Sequence, residues 1–240
     1  MYTIALVGLD GSGKTTVARH LEKFSPSPCK YLYMGQSIHT SNVILPTTRL
    51  ARYLKLHVIS KDDEKSGNTQ TEKPNAGDLH YGGRKRGLVR VSLGLLNRIV
   101  EAWWRQLLSL IYQLQGYVVV YDRHFLIEAA VEAAISRGKK NNIIDQLEYW
   151  IFRLFYPKPK LIIFLDTPEQ VLYERKREAT LKSQARRRAA ILEVGGRMLN
   201  FVIVDANRPL ERVIADVMRI IAEFPASRKL ANGTTSKIKS

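Results

Sequence analysis

Eight consecutive residues constrain this 240-residue chain more than any others. Gly8-Leu9-Asp10-Gly11-Ser12-Gly13-Lys14-Thr15 fits G-x-x-x-x-G-K-[ST] without a mismatch. An apolar run, TIALV, precedes it, and a helical pattern begins near Lys14 and runs to about Phe24. Strand, glycine-rich turn and helix are the context that gives this motif its meaning. The glycines let successive backbone amides point inward at an anion, and the helix adds its positive end. Lys14 is expected to reach the β and γ phosphates of a nucleotide, and Thr15 to offer its hydroxyl to Mg²⁺. Gly8, Asp10, Gly11, Ser12, Gly13 and Thr16 complete the expected nucleotide-binding set.

The rest of the chain repeats this alternation. Apolar runs predict strands at 30–34, 117–121 (YVVVY), 161–165 (LIIFL) and 201–204. Helical patterns fall at 49–59, 91–115, 126–137, 143–155, 168–194 and 210–224. Strands apolar throughout, separated by helices, predict an α/β fold: a five-stranded parallel sheet with helices on both faces. Ligands of such sheets bind at the carboxyl ends of the strands. With 45% apolar residues the chain can build a core. One domain is expected over 1–225, followed by a basic, flexible tail at 226–240. Residues 60–87 have too few apolar groups to offset the entropy of ordering them, and read as a mobile insertion. The opening MYTIALVG has no charged leader, and the uncharged, largely apolar stretch 106–121 is too short to span a membrane. One cysteine, Cys29, excludes an internal disulfide framework. A cytoplasmic protein without a membrane partner is expected.

Lys plus Arg number 38 and Asp plus Glu 22, so the formal charge is +16. A solvated basic surface, a nucleic-acid footprint and a basic cleft for a small polyanion all fit that charge. The motifs choose the last. Asp122-Arg123 closes the YVVVY strand, at the same sheet edge as the glycine loop. Asp122 is suited to hold Mg²⁺ through water or to orient an attacking phosphate oxygen. Arg123 is suited to clamp an acceptor phosphate bidentately. A basic segment near 175–190, with Arg175, Lys176, Arg177, Lys182, Arg186, Arg187 and Arg188, reads as a lid closing on transferring phosphoryl charge. Arg175 and Arg186 are its candidate catalytic arginines. Asp166 reads as a structural residue in preference to a metal ligand. Asn207, in the loop after the last strand, is placed beside the nucleotide base. Arg98 and Arg105 share a helix face from which either could reach an acceptor phosphate. Trp103 and Trp104 read as core or interface, and the five histidines show no metal spacing.

GLDGSGKTT, VVVYDRH, PKPKLIIFLDTPEQVLYERKRE and VIVDANRPLERV stand in the order found in thymidylate kinase-like P-loop kinases. The resemblance covers the chain apart from 60–87 and the tail. It implies ATP with Mg²⁺ as donor, a nucleoside monophosphate acceptor with dTMP foremost, and a homodimer formed through helices. Nucleic acid is not an implied partner. Two departures stand out. The family follows its Asp-Arg pair with polar groups near the base, whereas this chain has His124-Phe125-Leu126-Ile127-Glu128-Ala129-Ala130. The family's Arg-Glu-Pro-Gly stretch is replaced by Gly35-Gln36-Ser37. The donor site therefore matches better than the thymidine site. The P-loop carries no internal arginine, which resembles the subgroup that takes its catalytic arginine from the lid. The alternatives are a kinase for another small phosphate or hydroxyl acceptor, and a nucleotide-gated nucleic-acid-binding protein.

Overall fold

The five strands are β1 Thr3–Val7, β2 Cys29–Tyr33, β3 Val118–Asp122, β4 Leu161–Asp166 and β5 Phe201–Asp205. They pair in the order β2-β3-β1-β4-β5, and every pairing is parallel. The structure, a computed structural model, describes residues 2–35, 88–136, 150, 157–176 and 179–236. The expected helices at 49–59 and 143–155 and the expected insertion at 60–87 lie outside these, apart from Trp150. The described helices are α1 Lys14–Phe24, α2 Leu88–Leu114, α3 Phe125–Ile135, α4 Glu169–Arg175, α5 Leu181–Gly195 and α6 Leu210–Ser236. Two compact units emerge, one of residues 1–43 with 105–240 and one of 44–104. The first holds the whole sheet.

The continuous apolar runs occupy the strands expected of them. All five residues of β1 and of β3 are buried, as are the first five of β4. A parallel strand covered on both faces has no solvent side, so alternation disappears. Val17, Ala18 and Leu21 of α1 and Val213, Ile214, Val217 and Ile221 of α6 join one apolar cluster with β1, β2 and β4. Each fully buried Leu, Ile or Val contributes roughly 1.5–3 kcal/mol. Because β1 is central, its carboxyl end places the glycine loop in the middle of the sheet edge, between the ends of β3 and β4.

Two expected boundaries are corrected. The charged stretch at 168–194 is two helices, with a break between Arg175 and Leu181. Thr180 caps the second by accepting a hydrogen bond from the Ser183 amide at 3.3 Å. The last helix does not stop at Phe224, and α6 continues through Pro225 to Ser236. Proline lacks the N–H that would bond Ile221, four residues back, so the Ile221 carbonyl needs another donor. The Tyr2 hydroxyl supplies it at 2.6 Å, with the Tyr2 and Phe224 rings 5.2 Å apart.

His124, in the turn from β3 to α3, is fully buried. Burial lowers its pKa to about 4, against a smaller opposing effect of its hydrogen bond to Pro157. It is therefore neutral at pH 7, and Nε2 donates to the Pro157 carbonyl at 3.1 Å.

Tyr2→Phe should lower unfolding stability by about 1–2 kcal/mol, because it leaves the Ile221 carbonyl without its donor. Chemical denaturation measures this, and an unchanged midpoint would show that water replaces the hydroxyl. His124 gives a pH signature of known sign. Its folded pKa lies below its unfolded value, so the unfolded chain binds the extra proton first as pH falls. Its contribution is intact above pH ~6.5 and is lost progressively toward pH ~4, by on the order of 3 kcal/mol. In paired urea titrations across that range, His124→Gln should remove this component while keeping a donor for Pro157.

Candidate active site

The loop is built as its sequence requires. Gly11 and Gly13 take φ values of +93° and +87°, a region that side chains with a Cβ rarely enter. Gly13 precedes α1 with no side-chain cap, so the first-turn amides of the helix face the loop interior. Lys14 is buried, at 5% exposed. Its ammonium donates to the Leu9 carbonyl at 2.6 Å and lies 3.9 Å from Asp10. Burial, with repulsion from Arg123, lowers its pKa to about 8. A phosphate placed beside it would reverse that shift by supplying a counter-charge.

The carboxyl end of β3 meets this loop. The Thr15 hydroxyl donates to Asp122 Oδ2 at 2.5 Å, across 107 residues of sequence. Tyr31 donates to the same oxygen at 3.3 Å. Asp122 Oδ1 is buried and has no hydrogen-bond partner among the described residues. Those features fit Mg²⁺. Thr15 spends its proton on Asp122 and keeps its lone pairs, and Oδ1 is a hard donor without another use. Magnesium is bound through one or two carboxylates plus waters and phosphates.

Arg123 sits at φ +69°, the left-handed region, among described non-glycine residues alone in this. Such backbone strain costs about 1–3 kcal/mol and persists only where neighbours hold it. Here two carboxylates do. Arg123 pairs with Glu128 at 3.0 Å and, more closely, with Asp10 of the loop. Burial works against the guanidinium's charge, but Glu128 and Asp10 outweigh it. Burial would likewise raise Asp10, but Arg123 and Lys14 hold its carboxyl below the ordinary range.

A cleft of about 300 Å³, its open mouth included, joins these groups. Lys14, Arg123, Glu128 and Arg187 give it charge, and Ile127, Val131 and Ile191 give it apolar walls. The lid arginines divide. Arg175 stands over the loop, 3.4 Å from the Gly11 carbonyl. Arg187 lines the cleft and pairs with Glu132 at 3.6 Å. Arg186 is directed instead to the Ile135 carbonyl. Arg188 donates to Asp166 through two bonds of 2.6 and 2.8 Å. Asn207 is exposed, and its amide closes a short turn on Asp205 at 2.9 Å. No bond of the Thr16 side chain is described. Arg105 is buried and donates to the Gly35 carbonyl at 2.8 Å, which commits it to the backbone after β2. The side chain of Arg98 lies outside the described residues.

Sequence reasoning gave two participants no role and did not single out a third. Arg187 stood in the expected lid segment, and its place four residues before Ile191 is what sets it apart from its neighbours. Glu128 stands in the run after the Asp-Arg pair, five residues from Arg123, and the sequence assigns it no partner. Tyr31 carries no motif, and nothing local announces its bond to Asp122.

No family profile matches the chain. Individual proteins do. A probable thymidylate kinase of Saccharolobus solfataricus is 25% identical over 228 residues, covering 91% of this chain and 95% of that one. A thymidylate kinase of Blochmanniella floridana is 24% identical, covering 92% and 95%. A probable thymidylate kinase of Archaeoglobus fulgidus is 31% identical over 122 residues, which is 49% of this chain and 59% of that one. Among solved structures, the thymidylate kinase of Candida albicans superposes with a TM-score of 0.54 at 19% identity, covering 93% and 92%, and shares the fold. Motif order, sheet topology and near full-length similarity agree: the chain has the fold of a P-loop kinase and is thymidylate kinase-like, similar along nearly its whole length to thymidylate kinases.

Proposed function

We propose that the chain transfers the γ-phosphoryl group of ATP to a nucleoside monophosphate, with dTMP as the foremost acceptor. One observation carries the reading: Lys14, Arg123 and Arg187 converge on a single cleft beside the Thr15–Asp122 pair. Lys14 and the loop amides hold the ATP phosphates. Thr15 and Asp122 would hold Mg²⁺, which neutralises charge on the phosphate oxygens. Arg123 clamps the acceptor phosphate once that anion displaces Asp10 and Glu128. Arg175 and Arg187 stabilise the charge of the loose transition state. Arg186 would serve only if lid closure turned it inward, and Asn207 would border the base. Phosphoryl transfer of this kind is positioning and electrostatics, so the residues need no covalent role.

The cleft's apolar wall argues for loose base recognition. Ile127 and Val131 offer no hydrogen bonds, and strong discrimination between bases needs buried polar groups that a wrong base would leave unpaired. A cytoplasmic setting accords with the buried, unpaired thiol of Cys29 and with the lack, among the described residues, of a helix long and apolar enough to cross a membrane. A homodimer is supported by α2. Its exposed Leu96, Val100, Trp103, Leu107, Leu110 and Leu114 follow one another at steps of four and three, the spacing of a coiled-coil seam.

The decisive experiment compares kcat/KM for dTMP, dUMP, UMP and CMP. The expected preference for dTMP is below about 100-fold, roughly 2–3 kcal/mol. A far larger preference would mean that base contacts come from other residues. Turnover of none of the four would sink the nucleoside monophosphate reading in favour of another small phosphate or hydroxyl acceptor. Lys14→Ala should abolish turnover yet unfold cooperatively. Arg123→Ala should lower kcat/KM for the acceptor by about 100-fold or more, an effect concentrated on the acceptor and not on ATP. Sedimentation tests the dimer: wild type should be dimeric at micromolar concentration and the Leu107→Glu, Leu110→Glu double variant monomeric. A monomeric wild type would rule the dimer out.

A further inference from the structure

We propose that Tyr31 is a positioning residue that fixes the plane of the Asp122 carboxylate and so aims Oδ1 at the cation site. The inference rests on the reading of Thr15 and Asp122 as the cation-holding pair. A carboxylate held by one donor can still swivel about that bond. Two donors arriving from different elements remove the freedom. Thr15 comes from α1 and Tyr31 from β2, and both donate to Oδ2. Oδ1 then keeps its lone pairs for a cation or its water.

The sheet register explains why a tyrosine is needed. Tyr31 stands opposite Val120, and Asp122 is two residues further along the same strand. Residues two apart share a face, so Tyr31 meets Asp122 as a diagonal neighbour, at a distance only a long side chain covers. Serine or threonine at this position would fall short. The ring is itself held. Arg19, four residues after Thr15 on α1, lies 6.0 Å from the ring centroid. The Tyr31 amide reaches Glu22 on the same helix at 3.4 Å. Tyr31 is 5% exposed. Burial, with the Asp122 charge, raises its pKa above the ordinary phenol value, so it stays a protonated donor.

The experiment measures Mn²⁺ binding to the protein–ADP complex by the electron paramagnetic resonance of free Mn²⁺, beside calorimetry of ADP without metal. Tyr31→Phe keeps the ring and removes the donor. It should weaken Mn²⁺ binding by about 10-fold, the usual size for loss of an outer partner of a metal carboxylate. Metal-free ADP affinity should not change. Asp122→Asn should weaken Mn²⁺ further, and adding Tyr31→Phe to it should have no additional effect. Unchanged Mn²⁺ affinity in Tyr31→Phe, with Asp122→Asn impaired, would overturn the role of Tyr31 alone. Metal-free ADP affinity falling in step with Mn²⁺ would also overturn it, in favour of a general structural role. Unchanged Mn²⁺ affinity in Asp122→Asn would instead remove the cation reading on which the inference rests.

Discussion

The hydrogen bond from Thr15 to Asp122 is the tie on which the rest of the site depends. It joins the first turn of α1 to the carboxyl end of β3, and it fixes the distance between the glycine loop and the Asp-Arg pair. Strand pairing alone brings these segments to one sheet edge, since Leu6 is in register with Asp122. Register does not orient side chains, however. The hydroxyl–carboxylate bond orients Asp122, and the strained residue Arg123 follows it in the chain.

Electrostatics at the cleft run against the composition. A chain of formal charge +16 would be expected to present uncompensated cations to a polyanionic ligand. Instead Arg123 is shared by Asp10 and Glu128, and Arg187 is paired with Glu132. Both guanidiniums are partly exposed, and these carboxylates compensate their charge. On the proposed function, an incoming phosphate would compete with them. The exchange would favour an anion that offers several oxygens at once, because a bidentate guanidinium contact replaces one charge-assisted pair with another. Selectivity of that kind needs no large net field in the cleft.

The arginines of α5 show how far local sequence reasoning reaches. Arg186, Arg187 and Arg188 are consecutive, yet one bonds the Ile135 carbonyl, one lines the cleft and one grips Asp166. Neighbours on a helix differ by about 100° in direction. Charge content therefore identified the segment, whereas the rotational phase of α5 chose the residue. That phase is set by burial of Ala190, Ile191 and Val194. Arg187 stands one turn from Ile191, and the apolar contact carries the arginine into the cleft.

The sequence by itself determined the strands, the glycine loop and the acid–base pair after β3. Each is contiguous, and each has a local cause: strands buried on both faces lose alternation, and the loop needs glycine where φ is positive. Tertiary structure decided the remainder. Glu128 found Arg123, Tyr31 found Asp122, and α6 passed through Pro225 because a hydroxyl 219 residues away replaced the missing donor. These outcomes depend on which groups meet across strands and helices. Such meetings follow from sheet register and from the burial of apolar faces, and no local pattern in the chain encodes them.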